Sequence, residues 1–195
     1  SFPTRRSSDL GTSKFSNQIY SESKRLMTLI DDIIKLSYLD EENDDSGDYK
    51  EIDVYNLCET VNNNLALVAK NSDVTLSLNG NHFITNSSFR LLYMVVYNLV
   101  DNAIKYNRPG GYVDVSVTND GIIKIKDNGI GIPDESIDRI FERFYRVDKS
   151  HSKEVGGTGL GLSIVKHAVM TLGGDISVKS ELNKGSEFVV VLPHV

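Results

Sequence analysis

The chain has 195 residues, 39% of them hydrophobic and 25% charged, enough for one well-cored domain plus an appendage. Its 21 basic against 27 acidic side chains give a formal net charge of -6, which argues against a general nucleic-acid binder, because a polyanionic partner requires a clustered basic surface. One cysteine, Cys58, rules out an internal disulfide; it lies in an apolar helical pattern and reads as a small buried hydrophobe in a reducing, cytoplasmic setting.

The opening stretch "SFPTRRSSDL", residues 1–10, carries no apolar period and reads as a disordered or non-native leader. From about Phe15 to Leu39 the spacing of Ile19, Leu26, Ile30 and Ile33, widened by Leu29 and Leu36, predicts one long amphipathic helix. Its apolar face has no partner in the residues that follow, so a second copy of the chain or another bundle helix is expected to cover it. "DEENDDSGD", residues 40–48, is acidic, lacks aromatics and reads as a linker.

Helices and strands mix from residue 50 onward. "DVYNLCETVNNNLALVAK" reads as a helix capped by Asp53, "VTLSL" as a strand, and "SSFRLLYMVVYNLVDNAIKY" as a second long helix. "YVDVSVTNDGIIKIKD" is two alternating strands turned at Asn119, Asp120 and Gly121, and "DISVKSELNKGSEFVVVLP" is another hairpin. Between them "GLGLSIVKHAVMTLGG" is a helix with a glycine-rich entrance and Gly173-Gly174 at its stop. These elements predict an α+β sandwich, a largely antiparallel sheet covered by helices. Apolar runs stop well short of the ~20 residues a spanning helix needs, so any membrane contact is expected from another segment. "NSS" at Asn86 matches a glycosylation acceptor, a motif common by chance and without meaning in a cytosolic chain.

Three clusters carry chemistry. In "NLVDNAIKYN", residues 98–107, Asn98, Asn102 and Lys105 fall in one narrow arc of an otherwise apolar helix. An amide oxygen is a neutral hard ligand suited to a magnesium ion that keeps most of its waters, and an ammonium on the next turn can meet phosphates. In "DNGIGI", residues 127–132, a carboxylate at a strand end can accept the amino hydrogen of adenine, where GTP presents an acceptor instead, and Gly129 and Gly131 let backbone approach the ring. "GGTGLGL", residues 156–162, places glycine-rich backbone at a helix N-terminus, an anion site; it lacks the Lys-Ser or Lys-Thr of a Walker loop and the glycine spacing of a dinucleotide fold. Taken singly, each also reads as a polar helix edge, a strand-ending turn or a capping loop.

Together "NLVDNAIKYN", "DNGIGIP", "FERFYRVD", "GGTGLGLSIVK" and "GSEFVVVLP" resemble the catalytic ATP-binding domain of sensor histidine kinases, in the GHKL superfamily that also holds type II topoisomerase subunits, a heat-shock chaperone and mismatch-repair ATPases. The resemblance covers roughly residues 50–193 and implies a catalytic domain over 50–195 with the two-layer Bergerat fold. "RLMTLIDDIIKLSYLDEE" is similar to the second helix of the dimerisation bundle that precedes that domain, so residues 11–45 are expected to be part of it, joining two copies as a homodimer.

The resemblance implies that Asn102 binds magnesium, with Asn98 and Lys105 beside the ATP phosphates. Tyr106 would stack on adenine and Asp127 recognise its amino group, while Gly129, Gly131 and Ile132 shape the base pocket. Gly157, Thr158, Gly159, Leu160, Gly161 and Leu162 would border the triphosphate. Arg146, in the "FERFYR" lid with Phe141 and Phe144, could reach the phosphates. Ser186 stands where the family often has threonine, keeping the hydroxyl. The implied reaction moves the γ-phosphoryl of ATP to a histidine and then to an aspartate of a response regulator.

The family's phosphoacceptor histidine has no counterpart here. His82 falls in a loop, His151 in the lid and His167 on the helix after the glycine loop, so the chain is expected to bind ATP without phosphorylating itself. The competing classes are a conformational ATPase of the topoisomerase or chaperone kind, a non-catalytic adaptor, and a protein serine kinase. Hydrolysing relatives place a water-orienting glutamate where this chain has Asn98, an amide and a poor base, and the bundle helix disfavours a serine kinase.

Overall fold

The computed structural model describes residues 16, 19–20, 22–23, 26–30, 32–34, 49–147 and 157–193. The leader, the acidic linker and His151 lie outside the described residues. Among the described residues from 49 onward the elements are, in order, β1 (Tyr49–Asp53), α1 (Val54–Asn71), β2 (Val74–Gly80), β3 (Ile84–Ser88), α2 (Phe89–Lys105), β4 (Gly111–Val117), β5 (Ile122–Asp127), α3 (Asp134–Ile137), α4 (Gly161–Thr171), β6 (Asp175–Glu181) and β7 (Gly185–Val191).

The main sheet runs β2-β4-β5-β7-β6, parallel at β2-β4 and antiparallel elsewhere, and β1 pairs with β3 in a separate antiparallel ribbon. The fold is the α+β, mixed-sheet arrangement the sequence predicts. Two features go beyond the sequence reading: the β1-β3 ribbon, and the parallel pairing that sets Val74 opposite Gly111.

Alternation builds one layer and helical periodicity the other. Val113, Val115, Val117, Ile123, Ile125, Phe188 and Val190 project from one face of the sheet into the core. On the solvent side, Asp114 accepts hydrogen bonds from Ser77 Oγ and Asn79 Nδ2, both at 2.7 Å. The helices close the core from above: α2 packs on α1, α4, β4 and β5, and α2 is the central element, with Leu91, Leu92, Val95, Val96, Leu99 and Val100 all buried.

Both long helices start where the sequence places a cap. Asp53 Oδ1 accepts from the backbone N–H of Tyr55 (3.0 Å) and Asn56 (3.3 Å), and Ser88 Oγ accepts from Leu91 N–H (3.4 Å); such caps contribute about 1 kcal/mol each. Asp53 also lies 2.6 Å from His82 Nδ1.

Cys58 is fully buried on the inner face of α1. Desolvation, with a smaller contribution from the Asp53 charge, pushes its thiol up to about 12. The thiolate is therefore absent at neutral pH, and alkylation by iodoacetamide is expected to occur only through unfolding. Labelling at the rate of a free thiol in the native chain would contradict this burial.

The described residues between 16 and 34 are helical. Ile19, Leu26, Ile30 and Ile33, the stripe read from the sequence, are exposed on this chain. Leu29, read there as part of the same stripe, packs instead with Met94 against Leu160 and Ile164 at the start of α4. Among the described residues, no helix is long and apolar enough to cross a membrane.

Candidate functional site

The C-terminal half of α2 is where the three clusters meet. Asn98 and Asn102 sit one turn apart on its flank and face the first residue of α4: a Cβ placed at Gly161 would lie 3.4 Å from Asn98 Oδ1 and 3.9 Å from Asn102 Nδ2. The backbone at the start of α4 therefore lies directly against the two amides. Asn98 donates from Nδ2 to Met94 O (2.8 Å), which turns its oxygen toward the glycine loop.

One turn further, Tyr106 joins both remaining clusters. Its carbonyl accepts from Ile130 N–H (3.0 Å) in the loop after β5, and its hydroxyl lies 3.2 Å from where a Cβ would stand on Gly157. The tyrosine ring, partly exposed, spans from one glycine loop to the other. Arg146 Nη1 donates to Gly157 O, tying the lid to the second loop, and Phe144 N–H donates to Gly159 O (2.9 Å). Phe144 itself is exposed, whereas Phe141 packs against the core.

Lys105 is paired along its own helix. Its Nζ lies 2.5 Å from Asp101 Oδ2, an i,i+4 pair along α2, so the structure holds the ammonium on its own helix. Asp101 was missed in the sequence, although its four-residue spacing from Lys105 is the signal that finds it. Burial pushes the neighbouring Tyr97 phenol up, with the Asp101 charge adding to the effect.

Asp127, at the end of β5, is buried. Its Oδ1 accepts from Gly129 N–H (2.8 Å) and Ser186 N–H (3.3 Å). Desolvation raises its pKa above the ordinary aspartate value, and the two amides pull it partly back. Ser186 links onward: Ser180 Oγ accepts from Ile132 N–H (2.8 Å) and donates to Gly185 O (2.9 Å), which leaves Ser186 Oγ as the donor in the 2.9 Å contact between the two hydroxyls. Asp127, Ser186 and Ile132 thus belong to one connected wall.

A second clamp fixes the same loop from outside. Arg108 Nη2 donates to Asn183 O (2.7 Å) and Gly129 O (3.3 Å), while Asn183 N–H donates to Ile130 O (2.7 Å). Gly131 sits beneath this clamp at φ +69°, and a Cβ on it would stand 2.1 Å from Glu181 O. Gly131→Ala is accordingly expected to cost at least about 2 kcal/mol, read as a lowered urea midpoint, because a left-handed alanine adds strain and the β6-β7 turn must separate from the loop. An unchanged midpoint would show that the loop is not held this tightly.

Gly159 carries the corresponding constraint in the second loop, with φ +76° and Phe144 against it. Thr158 Oγ1 accepts from Leu160 N–H (3.2 Å) and donates to Asp32 Oδ2 (2.6 Å) on the N-terminal helix. Leu160 is fully buried and Leu162 packs against the core, so these two anchor the loop. Asp32, Arg108, Ser180 and Asn183 carry no local sequence signal, since their partners are far away along the chain. A groove of about 440 Å³ lined by Phe141, Arg143, Lys166, His167 and Met170 shares no residue with the three clusters.

Residues 88–195 match the family described as histidine kinase-, DNA gyrase B-, and HSP90-like ATPase. The chain is 35% identical over 177 residues to the sensor histidine kinase RppB of Synechocystis sp., covering 88% of this chain and 39% of the relative. It is 34% identical over 186 residues to the sensor protein kinase WalK of Staphylococcus aureus, covering 92% and 44%. It thus spans about two fifths of the length of the curated relatives it matches. Among solved structures, the mycobacterial sensor histidine kinase MprB superposes with a TM-score of 0.62 at 28% identity, over 74% of this chain and 97% of that one. With the family match over more than half its length and the alignment to RppB nearly end to end, this chain belongs to the sensor histidine kinases and carries their catalytic ATP-binding domain.

Proposed function

We propose that the chain binds magnesium-ATP across the C-terminal half of α2 and donates the γ-phosphoryl group to a histidine on a separate helix, from which it passes to an aspartate of a response regulator. One observation carries the reading: Asn98 and Asn102 on α2 stand against Gly161, and Tyr106, at the C-cap of α2, stands against both the Asp127 loop and Gly157. In this reading Asp127 accepts from the adenine amino group through its free oxygen edge, Tyr106 lies along the base, and the amides at the start of α4 take the phosphates. Arg146 holds the lid over the loop and Lys105 exchanges Asp101 for a phosphate oxygen.

The donor set suits magnesium bound mainly through the nucleotide. Among the described residues no cluster of three or more acidic, histidine or cysteine side chains could form an all-protein cage, and the Asn102 amide, whose Nδ2 faces Gly161 here, would rotate to present its neutral oxygen to the ion. When bound, the ion would neutralise the phosphates and orient them for in-line displacement. The residues' own task is positioning: the γ-phosphorus to bridging-oxygen bond breaks, ADP leaves with the electron pair, and the new bond forms to an imidazole nitrogen. Asn98 cannot serve as a base for water, which favours transfer over hydrolysis.

The exposed stripe of Ile19, Leu26, Ile30 and Ile33 supports a homodimer formed through the N-terminal helix. Mixing the chain with a protein that carries a histidine kinase phosphoacceptor helix and γ-labelled ATP tests the reaction. Acid-labile, base-stable label on that helix is expected; steady release of inorganic phosphate with no such label would overturn the reading in favour of an ATPase.

A further inference from the structure

Gly129 is held at both ends. Its N–H donates to Asp127 Oδ1 (2.8 Å), the carboxylate assigned to the adenine amino group, and its carbonyl accepts from Arg108 Nη2 (3.3 Å). The same Nη2 donates to Asn183 O at 2.7 Å, so one nitrogen reaches a carbonyl in the loop after β5 and another in the β6-β7 turn. Ile130, next along, donates its N–H to Tyr106 O and accepts at its carbonyl from Asn183 N–H, which closes a ring of bonds around the loop. The fit is close: a Cβ on Gly129 would stand 2.3 Å from Tyr106 O. Arg108 N–H donates to Asn107 Oδ1 (2.8 Å) and Asn107 Nδ2 donates to Tyr112 O (2.9 Å), so the backbone from which the guanidinium extends is tied to β4.

Arg108 lies at the surface, apart from the buried core. The Asp127 carboxyl answers to its own burial and to the Gly129 and Ser186 amides, so Gly129 is the route by which this clamp bears on it. We propose that Arg108 is a positioning residue for selection of the nucleotide base: by holding Gly129 and the β6-β7 turn together, it fixes the Asp127 oxygens and Tyr106 in register for a purine that carries a 6-amino group. The proposal rests on the nucleotide reading given above. It assigns part of the discrimination between an amino and a carbonyl group on the base to an arginine that acts through Gly129 and not on the base itself.

Inosine triphosphate differs from ATP in carrying a carbonyl where adenine carries the amino group. Calorimetric titration of the intact chain with magnesium-ATP, and competition by inosine triphosphate, measure the preference between them. Arg108→Ala is expected to weaken ATP about tenfold and inosine triphosphate less than about twofold, so that the preference shrinks at least about fivefold. In an Asp127→Asn background, where the acceptor is already gone, Arg108→Ala is expected to cost less than about twofold more, because the two residues act in series. Thermal melting identifies a variant that has lost its fold, and Arg108→Met, which keeps an aliphatic stem without donors, then takes its place. Equal losses for the two nucleotides, no loss at all, or full additivity with Asp127→Asn in a folded variant overturns the positioning role while leaving the nucleotide site standing. An unsubstituted chain that binds both nucleotides equally overturns the role together with the base reading of Asp127. No ATP binding by the unsubstituted chain overturns the whole site.

Discussion

Asn102→Ala is expected to abolish magnesium-dependent ATP binding, with a loss of at least about 100-fold in affinity measured by calorimetry. The Asn102 side chain stands 3.9 Å from a Cβ placed on the first residue of α4, and no metal-binding cluster of acidic, histidine or cysteine side chains among the described residues can replace it. The fold is expected to survive, because α2 is held by buried aliphatic residues on its opposite face and alanine is the strongest helix former. The loss is therefore read at unchanged thermal midpoint. Titration without magnesium separates the two contributions: the residual affinity of the unsubstituted chain and of the variant is expected to coincide. A variant that binds magnesium-ATP normally would remove Asn102 from the site.

Asp127→Asn acts on the base instead of the phosphates. The oxygen that accepts from Gly129 and Ser186 N–H can be kept by the amide, which forces the substituted NH2 group into the position of the other carboxylate oxygen. A donor then faces the adenine amino group, itself a donor. A loss of about 2–3 kcal/mol, about 30- to 150-fold in ATP affinity, is expected, with reduced discrimination against GTP.

Stability moves the other way. Burial raises the folded pKa of Asp127, so the folded chain holds this proton to higher pH than the unfolded chain does. Between the unfolded value near 4 and the raised folded value, stability falls as pH rises, and the penalty persists at neutral pH. Asparagine carries no such penalty. The variant's thermal midpoint at pH 7 is expected to match or exceed that of the unsubstituted chain, and the advantage is expected to vanish in acid below about pH 4. Weaker ATP binding accompanied by a lower midpoint at pH 7 would mean that Asp127 serves the fold and not the base.

Periodicity and caps made much of the scaffold legible. Asp53 and Ser88 announce α1 and α2, and the alternation through Val113, Val115 and Val117 and again through Ile123 and Ile125 announces β4 and β5. "YKEID" and "ITNSS" announce nothing, because neither is an alternating apolar run; they become β1 and β3 only by pairing with each other across about 35 residues, Glu51 with Asn86 at the centre. The β2-β4 pairing is hidden for the same reason, since no local turn dictates a parallel register.

In the candidate site, residue type and spacing were enough to single out Asn98, Asn102, Asp127 and the glycines. Side-chain partners were not legible where they come from afar: Arg108 reaches Asn183 and Asp32 reaches Thr158 through tertiary contact alone. Lys105 shows the converse. Its Asp101 partner is local, and the four-residue spacing on one helix makes it readable.

Backbone amide NMR of the labelled chain during titration with ATP and magnesium asks most directly whether a single nucleotide unites the three clusters. Amides of Asn98–Tyr106, Asp127–Ile132 and Gly157–Leu162 are expected to shift together along one saturation curve. Shifts confined to one cluster, or separate curves for the Asp127 loop and the glycine loop before α4, would contradict a common site.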